Sequence, residues 1–427
     1  MSTSIIPEQA RTKGDRSRFS IVTRGLSYSG KAALLLQLKR LQFGSISIVA
    51  DGNTWCFGDA SADPELRTCI TVNSPQFWAN AAFGGSVGAA ESYIQSQWDC
   101  DNLTGLIRIM VRNREVMNGL EGGLALFSAP LRALLHWLNR NTKDGSRRNI
   151  AAHYDLGNDF FRLILDDTMA YSCAVYPYKG ATLLEAQQHK YDTICRQLAL
   201  TSSDHLLEIG TGWGGLAIHA ARYFGCCVTT TTISHEQYLH AQSAIAQAGL
   251  TSRITLLEKD YRDLEGTYDK LVSVEMIEAV GHKFLDNYFG VCNRLLKPNG
   301  AMLLQAITIQ DQHYNAALKS VDFIQRFVFP GSFIPSIDAI QSSLRRATDL
   351  KVFHLHDIGP HYARTLADWR RNFHSHLAAV RQLGYPDSFI RLWDYYLSYC
   401  EGGFEERQLG DVHMLLTKPL CRRSSLA

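Results

Sequence analysis

The stretch Leu206-Leu207-Glu208-Ile209-Gly210-Thr211-Gly212-Trp213-Gly214-Gly215 carries the clearest chemistry in the chain. An apolar run ends in a carboxylate, passes into glycines at alternate positions, and leads into a helix-forming segment from Leu216 to Tyr223. Glycines there let the backbone turn sharply, and a ligand can lie against main chain where a Cβ would collide. The second strand then separates the candidate ligands. A nicotinamide dinucleotide needs an acid at its end, about 20 residues on, to hold a ribose hydroxyl. This chain reads Thr229-Thr230-Thr231-Thr232-Ile233-Ser234-His235-Glu236-Gln237, so hydroxyls stand where that acid would be. The acid lies one strand earlier, at Glu208.

That arrangement is the pattern of an S-adenosylmethionine-dependent methyltransferase, and it requires a particular scaffold. After the polar, basic stretch Asn141 to Asn149, strands and helices alternate, which predicts an α/β fold with a parallel, doubly wound sheet. Strands are expected at Asp204–Ile209, Cys226–Ile233, Ile254–Lys259, Lys270–Val274, Ala301–Ile307, Val352–Ile358 and Val412–Lys418. The expected fold is therefore a seven-stranded Rossmann-like class I methyltransferase sheet over residues 146–427. A phenylalanine-rich insert, 308–346, should form a helical lid over the ligand crevice. Two further helical stretches, Ala363–Leu383 and Asp387–Gln408, precede the last strand. Upstream, a flexible tail (1–19) leads into a smaller mixed domain (20–145). That domain should contain a helix at Lys31–Phe43, a hairpin turning at Asp51-Gly52, a mixed segment Pro75–Gln97 and a helix at Leu124–Asn139.

Bulk properties narrow the function classes. At 427 residues the chain exceeds one ordinary core, and 46% apolar with 20% charged residues is globular. A net charge of +2 gives no global field for nucleic acid. Basic residues cluster at Arg11, Lys13, Arg16 and Arg18, expected to be solvated, and at Arg140, Lys143, Arg147 and Arg148, a candidate patch for phospholipid headgroups. Ten cysteines without a CxxC pair argue against a disulfide framework or a zinc site and for a reducing cytoplasm. No apolar run is long enough to span a bilayer, so any membrane role is expected to be peripheral, at the inner face.

Four further segments join the glycine turn: His153-Tyr154-Asp155-Leu156-Gly157-Asn158-Asp159-Phe160-Phe161, Tyr171-Ser172-Cys173-Ala174-Val175-Tyr176, Val274-Glu275-Met276-Ile277-Glu278-Ala279-Val280-Gly281, and His361-Tyr362-Ala363-Arg364-Thr365-Leu366. In this order and spacing they closely resemble the cyclopropane fatty acid synthase family, of which mycolic acid cyclopropane synthases are near relatives. The likeness runs from about Phe43 to Pro419 and includes Gly88 to Trp98. It implies methylation of the double bond of an unsaturated acyl chain, usually in a membrane phospholipid, with S-adenosylmethionine as donor and a bound bicarbonate ion as proton acceptor.

Such chemistry is demanding. An isolated alkene is a feeble nucleophile, and alignment with the methyl group can supply roughly 7–11 kcal/mol of the barrier. Water would trap the cation and must be excluded. Aromatic faces stabilise it by about 1–2 kcal/mol each when dry; Phe323, Phe327, Phe329 and Phe333 are candidates, though each is more often plain cap packing.

The resemblance also distributes roles. Gly210 and Gly212 match the cofactor turn. Glu208, where relatives often carry Asp, can fix the turn or reach the methionine amino group through water. Tyr171 and Ser172 match methionine-end contacts, Thr232 and Gln237 ribose-side contacts, and Asp260 and Tyr261 the adenine-side pair. Cys173, Glu278, Ile307 (through its backbone) and Tyr362 match the bicarbonate cage. At Gln305 relatives commonly have a histidine. Glutamine still hydrogen-bonds an anion but does not titrate near neutrality, so the anion binds more weakly or the cation is resolved otherwise, to a methyl-branched or unsaturated methyl product.

Several neighbours receive bland readings. Glu275 is expected to be a solvated or capping carboxylate, His153 a structural hydrogen-bonder, Trp213 packing for the following helix, and Asp368-Trp369-Arg370-Arg371 an ordinary helix face. The leading function is cyclopropane formation on a lipid acyl chain, with a homodimer possible. One rival keeps the donor and methylates a small amine. Another is a non-catalytic lipid-binding protein.

Overall fold

The computed structural model describes residues 13–59, 61, 63, 65–114, 116 and 157–423, with side chains from residue 26 onward. The second basic cluster, the helix expected at Leu124–Asn139, the polar stretch Asn141–Asn149, the expected boundary at residue 145 and His153 lie outside the described residues. The chain divides into two compact units, Met1–Ser128 and Ala129–Ala427.

The first unit opens with a helix, Lys13–Leu38, longer than expected and ended before Phe43. Strands β1 (Ser45–Ala50) and β2 (Asn53–Gly58) pair as the expected hairpin. Asp51 and Gly52 turn it with φ of 51° and 75°, both in the left-handed region that the twist of a two-residue turn requires. Strand β3 (Arg67–Val72) runs parallel to β1, and β4 (Trp98–Cys100) antiparallel to β3, giving the order β2-β1-β3-β4. Helices Gln76–Ile94, kinked at Gly85, and Leu103–Arg112 complete the unit.

The second unit holds β5 (His205–Ile209), β6 (Cys227–Thr232), β7 (Ile254–Glu258), β8 (Tyr268–Val274), β9 (Leu296–Ile309), β10 (Lys351–Asp357) and β11 (Leu409–Thr417). Their order is β10-β11-β9-β8-β5-β6-β7. One expectation is corrected. The sheet is mixed, because β11 runs antiparallel to both β9 and β10. Apolar patterning marks a buried strand but carries no sign for its direction.

Alternation of side chains across the pleat gives the sheet two apolar faces. Leu207, Ile209, Leu271, Leu304 and Met414 face a core shared with helices Leu285–Leu295 and Ile337–Ala347. Leu206, Val228, Val272, Leu303 and Leu415 face the other, shared with helices Leu183–Gln197 and Gly215–His219. The first of these last two helices is fixed by a capping box, Thr182 with Glu185, which satisfies two backbone donors reciprocally.

The insert after β9 forms helices Asp311–Ala317 and Phe323–Phe327 and enters Ile337–Ala347. Helices Gly359–Ser375, Leu377–Gln382 and Asp387–Glu405 lead into β11. Among the described residues, no helix is long and apolar enough to cross a membrane.

Candidate active site

Strand β5 pairs with β6 on one side and β8 on the other, so chain order reverses between β5 and β8. Crevices at the carboxyl ends of such a switch point are where open α/β sheets take ligands. Gly210, Gly212 and Gly214 leave β5 with φ of 104°, 53° and 95°. A Cβ built on Gly212 would meet nothing within 4 Å, so open space lies over that backbone. On Gly210 it would come 3.5 Å from Met276, which follows β8.

Glu208 is buried beneath this turn. Its Oε2 accepts from the Thr230 hydroxyl at 2.5 Å, and Thr230 pairs with the Thr211 hydroxyl at 2.6 Å. Gly210 and Thr211 donate their amides to the Thr231 carbonyl. The acid thus ties β5, β6 and the turn into one unit. Burial pushes its carboxyl up to about 8, against the opposing Thr230 bond.

The next two strand ends carry the other expected cofactor residues. Thr232 donates to Gln237 Oε1 at 3.0 Å and accepts the Ser234 amide at 3.1 Å. Asp260 caps the short turn Tyr261–Asp263 and holds the Arg262 guanidinium through both carboxylate oxygens, at 2.8 and 2.6 Å. Tyr261 sits edge-on to Tyr288.

Tyr171, Ser172 and Cys173 arrive from the segment before the sheet. Tyr171 stacks on Trp369, with ring centroids 5.1 Å apart at 29°, and its hydroxyl meets that of Tyr396 at 2.8 Å. Phe161 closes on Tyr171 at 5.2 Å, and Phe329 of the insert packs on Tyr396. Phe323 instead packs on Tyr395 and Tyr399, and Phe333 against His282. Ser172 Oγ accepts from Lys190 Nζ at 2.6 Å. Cys173 is fully buried, and burial, then Asp411 and Glu275, raises its thiol far above the ordinary range. The group it presents is its backbone amide.

That amide leads to Glu275, to which the sequence assigns no part in the site. Glu275 Oε1 accepts from Cys173 N at 2.8 Å and from Gln305 Nε2 at 2.8 Å, and its Oε2 accepts from the Tyr362 hydroxyl at 2.6 Å. Glu275 is no solvated or capping carboxylate; it is the hub of the cluster. Its backbone has φ of 47°, which costs an L-residue about 1–2 kcal/mol. Hydrogen bonds to a charged group contribute about 1.5–3 kcal/mol each, so three of them outweigh that strain.

Beneath Glu275, Gln305 is wholly buried and saturated. Its amide also donates to Asp411 Oδ2 at 3.1 Å and, more weakly, to the Cys173 carbonyl at 3.3 Å. Its carbonyl accepts from His413 Nε2 at 3.1 Å, since the amide nitrogen is already the donor to the other three groups. Strand register brings these together: Gln305 faces His413, and Ile307 faces Asp411. Burial, and after it Lys190, lowers His413 to about 3, so the ring is neutral. Burial, and after it Glu275, holds the Asp411 carboxyl well above the carboxylate range.

Glu278 bridges from the end of β8 to β9. Its Oε1 accepts the Ile307 amide at 2.7 Å, while Oε2 is buried without a partner. Burial, then Glu275, pushes it up to about 8. Trp213 is buried: its indole donates to Asn158 at 2.7 Å, and its ring packs on Phe161. The segment Asp368–Arg371 is likewise no plain surface. Trp369 supports Tyr171, Asp368 accepts from Tyr176, and Arg370 pairs with Glu401.

These contacts bear on the bicarbonate cage. Cys173 N, Gln305 and Tyr362 are all engaged by Glu275, and Ile307 N by Glu278. Of these expected cage groups, Glu278 Oε2 alone is left for a further anion; it donates only when protonated, and the anion would lie against two carboxyl groups. The site as formed does not fit bicarbonate.

A doubly wound sheet with this strand order, a glycine turn open to ligand after its first strand and an acid buried beneath it define an S-adenosylmethionine-dependent methyltransferase. Residues 141–414 match the family described as mycolic acid cyclopropane synthetase, and the chain belongs to that family. It is 36% identical to tuberculostearic acid methyltransferase UfaA1 of Mycobacterium tuberculosis, over 97% of each chain. It is 37% identical to the cyclopropane-fatty-acyl-phospholipid synthase of Escherichia coli, over 82% of this chain and 87% of that one. The crystal structure of mycolic acid cyclopropane synthase CmaA1 with SAH and CTAB superposes with a TM-score of 0.60 at 30% identity, covering 64% of this chain and 98% of that one.

Proposed function

We propose that the protein transfers a methyl group from S-adenosylmethionine to the double bond of an unsaturated fatty acyl chain of a phospholipid, with the cyclopropane as the first reading of the product. The observation that carries this is the junction of an aromatic wall with a carboxylate. Tyr362 donates to Glu275 and packs on Phe404 and on Trp369, which stacks on Tyr171. Ring faces shield a cation without capturing it, and a neighbouring carboxylate takes its proton.

S-adenosylmethionine, when bound, supplies the electrophilic methyl group. The main chain of Gly210 and Gly212 would carry it, with Glu208 holding the turn. Thr232 and Gln237 would meet the ribose, Asp260 and Tyr261 the adenine, and Tyr171 and Ser172 the methionine end. The family's bicarbonate chemistry supplies no step here, because Glu275 and Glu278 already engage its donors. That same observation favours a second reading of the product, an unsaturated methyl chain, and the methyltransferase name of the UfaA1 relative supports it. The enzyme would meet its lipid at the cytoplasmic membrane surface.

The test supplies S-adenosylmethionine and vesicles of a mono-unsaturated phospholipid, with saturated vesicles as control. The expected result is S-adenosylhomocysteine release and a fatty acid heavier by one CH2 unit, with unsaturated vesicles only. Hydrogenation of the product separates a ring from an alkene. Release that ignores the double bond, or turnover on a small amine instead, would overturn the reading.

A further inference from the structure

We infer that Glu275 is the proton acceptor of this reaction, a carboxylate of the chain itself acting where the family uses a bound bicarbonate. The inference rests on the function proposed above.

Two residues that the family resemblance assigns to the anion cage converge instead on Glu275, Cys173 N at 2.8 Å and Tyr362 Oη at 2.6 Å, and Gln305 Nε2, standing where relatives commonly have a histidine, joins them at 2.8 Å. The side chain therefore lies in the place of the ion, presenting a carboxylate to the same groups. Its left-handed backbone is an independent sign. A glutamate at φ of 47° is held there by its surroundings, and strain of this kind gathers at functional sites.

Chemistry eliminates the neighbours. Tyr362 is a phenol that donates its hydrogen to Glu275. Cys173 is a buried thiol bonded toward the Ala174 carbonyl. Asp411 is wholly buried under Gln305, and Glu278 is taken up by the Ile307 amide; burial raises both carboxyls above the ordinary range. His413 directs its one N–H at Gln305 and lies 1% exposed. Glu275 is partly exposed, at the carboxyl end of β8 beside the glycine turn. An alkyl cation is so strong an acid that closeness, not basicity, decides the transfer.

The step balances simply. The cationic acyl chain gives one proton to a Glu275 oxygen. The electron pair of that C–H bond becomes either the third ring bond of a cyclopropane or the π bond of an unsaturated methyl product. Glu275 leaves the step as a carboxylic acid and returns its proton to solvent before the next turnover.

The experiment compares wild type, Glu275→Gln and Glu275→Gly in the vesicle assay, in carbonate-free buffer with and without added bicarbonate or formate. Wild type should turn over equally in both buffers. Glu275→Gln, nearly isosteric, should keep its melting temperature and its affinity for S-adenosylhomocysteine while losing at least about 100-fold in turnover. Glu275→Gly relieves the left-handed strain and vacates the carboxylate's place, so added formate or bicarbonate should restore product. Wild-type dependence on bicarbonate, or full turnover by Glu275→Gln, would overturn the inference. So would a folded, cofactor-binding Glu275→Gly that no small carboxylate rescues, since a positioning role predicts that result. A wild type that forms no lipid product in either buffer overturns the underlying function instead.

Discussion

Two glycines three residues apart should separate binding from folding. Gly212 has φ of 53° and open space where its Cβ would be. Alanine there meets no protein atom; its cost to stability is the left-handed backbone alone, about 1–2 kcal/mol. The new methyl group would, however, stand where cofactor is proposed to lie on the main chain. Losing that approach should weaken S-adenosylhomocysteine binding at least tenfold, about 1.4 kcal/mol or more. Gly215 is the opposite case. Its φ is ordinary, but an added Cβ would come 2.7 Å from the Tyr191 hydroxyl and 2.9 Å from the Thr168 carbonyl. Tyr191 is buried and Thr168 O is backbone, so neither yields cheaply. Gly215→Ala should therefore cost about 1–3 kcal/mol of stability, a fall in melting temperature on the order of 5 °C. Calorimetry with S-adenosylhomocysteine and thermal unfolding of both variants make the comparison. Unchanged affinity in Gly212→Ala would refute the cofactor turn, and an unshifted Gly215→Ala would refute the packing.

Two other outcomes are expected. Glu208 and Glu278 are both raised from 4.5 to about 8 in the folded protein. The native state keeps their protons where the unfolded chain releases them, so their contribution is complete below about pH 4.5 and is lost progressively up to about pH 8. Urea midpoints should fall across that window, and Glu208→Gln with Glu278→Gln should flatten the fall; equal steepness in the double variant would contradict the assignment. Trp369→Ala removes a ring only 1% exposed and should cost about 3–5 kcal/mol. Because Trp369 underlies Tyr171, cofactor affinity measured by calorimetry should drop too, whereas Trp369→Phe should retain most of both.

Local rules made much of this fold legible. Asp51-Gly52 named its hairpin, and the apolar runs named all seven strands of the larger sheet within a few residues. The glycine turn was readable because positive φ demands it. Direction was not, since β11 looks the same run either way. The cluster around Glu275 was hidden for a different reason: its members come from the end of β8, from β9 and β11, from helix Gly359–Ser375 and from the segment near Tyr171, and only the folded chain joins them. Signals did exist. Asp411 and His413 alternate with apolar residues in a buried strand, so both point to one face. Lys190 interrupts the buried stripe Leu183, Ala186, Gln187, Tyr191 and Ile194 of its helix. A charge at a core position requires a partner, and here the partner is Ser172 Oγ, next to Cys173.

The placement of β11 between β9 and β10 also sets an order of assembly. β10 is made before β11 but touches β9 only through it. During synthesis, then, the edge of β9 stays open while more than half a sheet stands ready, and Gln305 waits without Asp411 and His413. The final strand arrives like a key turned last: a nascent chain stalled short of it holds the cofactor turn yet lacks the floor beneath its carboxylate, and so has the reagent's seat without the reaction.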